Sequence, residues 1–337
     1  MAFTIKHIFT GVIVILCLAG GCNTHSATVN QKSVDHYVAA LALHSSSFDN
    51  EAILELRQAV ELNPNFGLAH SLLGNIYDQN QNYDQAITAY KHACLLDPWT
   101  FREHFNLGTI YHNIKRYPEA IDVLTRACQL QPDHVMANYT LTLCYYETGQ
   151  YENAAELCRK VITLQPENED FYASLGKIFN KKGDYPQAVI SYKKSLELNE
   201  NQPSVMGRLA IVYLNTDQYD QARRILDKAV EAAPDNHDLH ISLAYCMLKQ
   251  KQPDLALEHY RKALELNENS CKALNGIGIT YMLRYLDDRQ NKEHVRRAVE
   301  KWHRSLELNP HQPTIQKLLQ KYSEELHIPE KTSVTTH

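Results

Sequence analysis

The chain has 337 residues, 44% of them hydrophobic and 22% charged, a composition that excludes a disordered or collagen-like polymer. Lys and Arg total 34 against 39 Asp and Glu, a net charge of −5 at pH 7, which is too mild and of the wrong sign for a protein that neutralises many phosphates, so no nucleic-acid partner is expected. Twelve Gly, 12 Pro and 20 Tyr beside 2 Trp is the skew of a motif that reuses a few residue types, which makes internal repeats the first thing to seek.

The chain opens MAFTIKHIFTGVIVILCLAGGC, with one cation at Lys6, an apolar run from Ile8 to Leu18, then Ala19, Gly20 and Gly21 ahead of Cys22. That order reads as a signal peptide over residues 1–21. The run is shorter than the roughly 20 residues a membrane-spanning helix needs. The segment resembles a bacterial lipoprotein signal, in which the cysteine after a small-residue cleavage site is diacylated and becomes the first mature residue. The resemblance implies lipidation at Cys22 and a place in the bacterial cell envelope. Asn23 in the next position leans toward the outer membrane, facing the periplasm. Ala19 stands where that family prefers Leu, with Leu18 one place further back. Ordinary secretion with a free Cys22 is the alternative. Residues 22–32 are polar and read as a tether.

From Ser33 a 34-residue period runs without insertion through Ser270, giving seven repeats over 33–66, 67–100, 101–134, 135–168, 169–202, 203–236 and 237–270. Repeat position 20 is Ala in every one: Ala52, Ala86, Ala120, Ala154, Ala188, Ala222 and Ala256, with Ala298 after a shift. Position 8 is small as Ala40, Gly74, Gly108, Gly176, Ala210, Ala244 and Gly278, Thr142 being the exception. Two small residues facing each other let two helices approach closely. Position 24 supplies the larger knob, as Leu56, Tyr90, Leu124, Tyr192, Leu226, Tyr260 and Trp302. Position 7 is aliphatic and position 11 mostly aromatic, a spacing of four that defines one helical face. Pro closes most repeats at position 32, where Glu200 and Glu268 replace it.

An eighth repeat over 271–312 carries eight extra residues, so that Leu283 to Arg297 forms an extended turn or lengthened helices. Ile315, Leu318, Leu319, Tyr322 and Leu326 share one face of a final helix over 313–327, suited to cap the last repeat. Residues 328–337 read as a mobile tail.

The pattern, as in LGNIYDQNQNYDQAITAYKHACLLDP from Leu73 to Pro98, resembles the tetratricopeptide repeat over about four fifths of the chain. The resemblance implies an all-α fold, a right-handed α-solenoid of about eight helix–turn–helix repeats with a C-terminal capping helix.

Candidates for chemistry are few. Thirteen of the 20 Tyr fall at positions 11, 17 and 24 and read as core. His36, His70, His104 and His240 all occupy position 4, where equivalent residues about 10 Å apart cannot share a metal with bonds of about 2 Å. Cys94, Cys128, Cys144, Cys158, Cys246 and Cys271 sit at packing positions. Gly276 and Gly278 lie within a helix pattern rather than a phosphate-cradling turn. There is no GxSxG or HExxH motif. Neither a catalytic centre, a metal nor a cofactor is expected.

In the resembled family, positions 2, 5, 9, 12 and 13 of each first helix line a concave groove that holds a partner peptide or helix. Here they imply a groove of Asn75, Phe105, Tyr139, Leu143, Tyr146, Lys177, Lys181, Ile211, Leu214, Ile241, Tyr245, Leu248, Ile279 and Met282, with Asn106 beside it. Asn75 and Asn106 match the asparagines of the carboxylate clamp of chaperone-binding repeats, but Ser71, Met136 and Thr140 stand where its cations belong. The implied function is a non-catalytic, lipid-anchored adaptor assisting assembly or localisation of an envelope complex, similar to type IV pilus or wall-enzyme adaptors. Alternatives are a structural subunit of a polysaccharide synthesis or export machine, and a substrate-recruiting component of an O-linked N-acetylglucosamine transferase-like system.

Overall fold

The computed structural model of the protein describes residues 24–326, so the expected leader, Cys22 and the tail 328–337 lie outside the described residues. Within them the chain forms seventeen α-helices and no strand. It divides into two compact units after Gly149. The first contains α1 (Thr24–Ser45), α2 (Asp49–Leu62), α3 (Gly67–Gln79), α4 (Tyr83–Leu96), α5 (Phe101–Asn113), α6 (Tyr117–Leu130) and α7 (Val135–Glu147). The second contains α8 (Tyr151–Leu164), α9 (Glu169–Lys182), α10 (Tyr185–Leu198), α11 (Pro203–Asn215), α12 (Tyr219–Ala232), α13 (His237–Lys249), α14 (Pro253–Leu266), α15 (Cys271–Asp287), α16 (Lys292–Leu308) and α17 (Pro313–Leu326). From α3 to α15 the first helices start 34 residues apart, which is the sequence period.

The second helices are amphipathic in the narrow sense. Ala52, Leu56 and Ala59 of α2 are fully buried, as are Ala120, Leu124 and Ala127 of α6 and Ala222, Leu226 and Ala229 of α12. Spacings of four and three keep each triplet on one face. First helices bury far more of their circumference, as Leu239, His240, Leu243, Ala244, Cys246 and Met247 do on α13. They pack on their own partner and on the second helix of the preceding repeat. Within each unit, successive first helices also approach one another, α5 with α7 and α9, α11, α13 and α15 in sequence.

The close approach has a visible cause. A Cβ on Gly74 would stand 2.7 Å from the Tyr90 ring, one on Gly108 2.5 Å from Leu124 and one on Gly176 2.6 Å from Tyr192. Position 8 is therefore emptied to admit the knob at position 24. Gly276 likewise makes room for Tyr260 of the preceding repeat. Thr142, the exception, is fully buried and satisfies its hydroxyl on the Asn138 carbonyl at 2.9 Å.

One detail differs from the sequence reading, and another follows one of the two alternatives it left open. Residues 24–32, expected as a tether, continue α1, since no Gly or Pro between Thr24 and Ser45 stops the helix. The extra residues of the eighth repeat lengthen α15 and α16 to 17 residues each, where α2 to α14 have 13 or 14. The capping helix α17 packs on α16 and buries Ile315 and Tyr322.

In three repeats position 4 ties the first helix to the turn before it. His70 Nε2–H donates to the Pro64 carbonyl at 3.0 Å and His240 Nε2–H to the Pro234 carbonyl at 2.9 Å. Asn138 does the same to Pro132 with its amide at 2.8 Å. A carbonyl only accepts, so Nε2 carries the proton. Neutral His240 must then accept at Nδ1, and His259 Nδ1–H donates to it across 3.0 Å. Burial holds the pKa of His259 below the usual histidine value, and His240 and Arg223 add to this while Glu258 and Asp227 oppose it. Burial, with His92 alongside, does the same to His70 against the opposing Pro64 bond.

Two outcomes follow from these contacts. Trp302 is fully buried and has no room to yield, so Gly278→Ala drives a methyl into the indole. The variant should lose about 1–3 kcal/mol in a denaturant melt. Depressed histidine pKa values mean that the unfolded chain binds more protons, so stability is full above about pH 6.5 and falls as pH drops through the folded values. The thermal midpoint should be lower at about pH 5.5 than at about pH 7.5, and His70→Asn with His259→Asn should narrow that gap.

Candidate interaction face

Repeat position 9 of the first helices is half-buried or open, and three of its four residues in the second unit are exposed apolar groups, as Leu41 is on α1. Ile211 on α11, Tyr245 on α13 and Ile279 on α15 are 42%, 41% and 38% exposed. Each occupies the same place on successive adjacent helices, so they form a strip across three repeats. Leu214, Ile241 and Leu248 are half-buried beside it. Along α15 the strip turns: Leu283 and Leu286, four and seven residues beyond Ile279, are 41% and 43% exposed on the same helical face. The lengthened hairpin creates this extension. Lys177 is half-buried at position 9 of α9, Lys181 is exposed one turn on, and Lys249 Nζ lies 5.4 Å from the Tyr245 ring centroid.

Two expected lining residues are not available. Met282 is only 5% exposed, because the lengthened α15 and α16 bury it together with Tyr285. Tyr146, on α7 of the first unit, is 8% exposed.

The first unit presents a different surface. Tyr90 O–H donates to Asn75 Oδ1 at 2.6 Å, and the Asn106 amide donates to the Tyr90 oxygen at 3.2 Å. The two clamp-like asparagines are thus bonded to a core tyrosine, whose phenol is pushed up by burial. Ser71 donates to Glu103 Oε1 at 2.6 Å, and Arg102 Nη2 bonds both Ser71 Oγ at 3.0 Å and Glu103 Oε1 at 2.9 Å. Glu103 is 3% exposed. Burial pulls its pKa up, but Ser71 and Arg102 together hold it below the usual carboxylate value. Phe105 stacks on Phe101 at 5.6 Å and meets His134 at 5.1 Å, while Tyr139 and Leu143 remain half-buried. Polar groups expected to line a groove are committed here to interior bonds.

The six cysteines of the described residues are free, and burial raises the thiols of Cys94, Cys144 and Cys158 to about 12 and that of Cys246 to about 11. Thiols with such values are weak nucleophiles at neutral pH. Among the described residues no cluster of three His, Cys, Asp or Glu side chains could hold a metal ion, and no helix is long and apolar enough to cross a membrane. What the geometry offers is an open apolar face, suited to a helix or extended segment.

Comparison with known proteins agrees with this architecture. A tetratricopeptide repeat protein from Parabacteroides merdae is 19% identical, with a TM-score of 0.59, covering 76% of this chain and 98% of its own. The C-terminal part of a TPR repeat-containing protein from Cytophaga hutchinsonii is 18% identical, also at 0.59, covering 72% and 97%. The pilF protein of Pseudomonas aeruginosa is 23% identical at 0.50, covering 61% and 94%. At these identities the likeness is one of fold. No curated protein matches the chain's sequence. The family described as the cilia and flagella-associated protein 70 C-terminal domain matches residues 32–275, more than half of the chain. With that match and the small-against-large packing repeated every 34 residues, the chain belongs to this tetratricopeptide-repeat family.

Proposed function

We propose that the chain is a non-catalytic interaction scaffold that holds a segment of another protein on the first-helix face of its second unit. The strip of Ile211, Tyr245 and Ile279 carries this reading. A fold that buries Leu56, Leu124 and Leu226 completely has no need to leave three large apolar groups in water at one repeat position. At about 25 cal/mol per Å², covering them is a ready source of affinity. Membership of a repeat family supports the reading, since stacked repeats supply long, variable faces.

The same proposal places the scaffold in a bacterial envelope, held by a lipid on Cys22, where it assists assembly or localisation of a membrane-associated complex. The lipoprotein-like order of Lys6, the apolar run and Cys22 supports that part. A second reading, a structural subunit that makes its contacts at an end, is favoured by Leu283 and Leu286 exposed on the lengthened α15.

Replacing Ile211, Tyr245 and Ile279 by Ser should change stability by no more than about 0.5 kcal/mol per site, yet abolish partner crosslinking from a photoreactive residue at position 248. Undiminished crosslinking rejects face binding; loss caused by Leu283→Ser with Leu286→Ser alone favours the end-contact reading. Separately, Cys22→Ala should move the protein from the membrane to the soluble fraction in living cells. A membrane fraction that stays the same removes the lipid anchor.

A further inference from the structure

The first unit has an apolar surface of its own. Leu95 and Trp99, at 77% and 74%, are the most exposed large apolar side chains of the described residues. They stand at repeat positions 29 and 33, where the other six strict repeats have Glu, Gln or Thr and Asn, Asp or Glu respectively. Trp99 is held in place rather than loose. Its backbone N–H donates to Asp97 Oδ1 at 3.1 Å. The Arg126 guanidinium lies 4.6 Å from the ring centroid, and its Nη2–H donates to the Pro98 carbonyl at 3.3 Å.

Both residues lie at the end of the unit where its first helices begin, since α4 ends at Leu96 and α5 starts at Phe101. Two more large apolar groups are exposed at this end, Leu68 near the start of α3 and Met136 near the start of α7, both at position 2. The second unit has Asp170, Ser204, Asp238 and Lys272 at that position. Hairpins repeated in register make α1, α3, α5 and α7 run in one direction, so residues 1–23 join α1 at Thr24 on the same end of the same unit. Charges of both signs stand on this edge, Glu61, Asp97 and Asp133 with Arg102 and Arg126, so attraction to a charged surface is not its basis.

We infer that this edge is a membrane contact, in which Trp99 and Leu95, with Leu68 and Met136 beside them, enter the interfacial layer of a zwitterionic bilayer. The inference rests on the anchored reading of Cys22 and adds how the first unit meets the membrane. Trp suits such a place, because its ring is apolar and its indole N–H finds polar partners at headgroup level. Four side chains hold a protein to a bilayer only weakly, but beside a tether the second contact becomes intramolecular and is favoured. α1 begins at Thr24, nine residues before the repeat start at Ser33, which is about 14 Å of helix. With α5 two repeats away, about 20 Å, the start of α1 and the edge at Trp99 reach one surface when the unit leans by about 35°.

The two tryptophans supply the readout, since Trp302 is fully buried and Trp99 is exposed. The full chain, purified from expressing cells, is reconstituted into phosphatidylcholine vesicles with plain or brominated acyl chains. It should float with both, and brominated lipid should quench its emission toward that of the Trp99→Phe chain, with no dependence on salt. Leu68→Ser, Leu95→Ser and Met136→Ser together should restore most of the Trp99 emission without reducing flotation. A chain that floats with Trp99 unquenched overturns the membrane edge and leaves the anchor standing. So does a photoreactive residue at position 95 that crosslinks a protein in cells and no lipid. A chain that does not float overturns both.

Discussion

The architecture depends on one contact repeated along the chain, a small or absent side chain at position 8 receiving the residue at position 24, most often a large one. Gly74 with Tyr90, Gly108 with Leu124, Gly176 with Tyr192 and Gly278 with Trp302 are chemically different knobs in the same hole. Because the hole is filled within one repeat, each helical hairpin is internally complete on that side. The surfaces it still has to bury are those facing the repeats before and after it. That is why the first helices are apolar over most of their circumference and the second helices over a narrow stripe.

Much of this was legible in the letters, because a period of 34 with small, aliphatic and aromatic residues in phase has few physical solutions. The turns were less so. Position 15 is left-handed in all seven strict repeats, as Ser47, Gln81, Lys115, Gly149, Gly183, Asp217 and Lys251. Only Gly149 and Gly183 announce that conformation in the sequence, since the other five adopt it at a cost of about 1–2 kcal/mol each. Inter-repeat turns show the reverse. Glu200 and Glu268 replace the usual Pro without altering the turn, because Asn199 and Asn267 accept the backbone N–H of Asn201 and Asn269 at 3.1 Å. Helix length was similarly hidden. Nothing in the composition of Leu283 to Arg297 distinguishes a longer hairpin from a bulge, and nothing polar at Thr24 to Lys32 marks the absence of a helix stop.

At the interaction face, the repeat register indicated which positions are free and the side chains decided which of those are open. Ile211, Tyr245 and Ile279 are exposed as the register implies. Tyr146 and Met282 are not, because flexible or planar apolar groups collapse onto whatever surface lies within reach. Asn75 and Asn106 illustrate a separate failure of position-based reading. They occupy positions known for ligand recognition, yet each is hydrogen-bonded to the Tyr90 hydroxyl, a contact that exists only because position 24 of the second repeat is Tyr rather than Leu.

The two units therefore use an identical scaffold for different ends. In the first, a buried carboxylate and a core phenol engage Ser71, Asn75 and Asn106 in hydrogen bonds, with the exposed Arg102 closing on Ser71 and Glu103 from the solvent side. In the second, apolar residues at the same positions have no polar valence to satisfy, so nothing in the chain draws them inward and they stay exposed. Lys177 marks the start of that change, and the added turn of α15 carries it furthest by turning a strip across helices into a stripe along one. The side chains of this face can then vary residue by residue, because none of them takes part in the fit of position 24 into position 8.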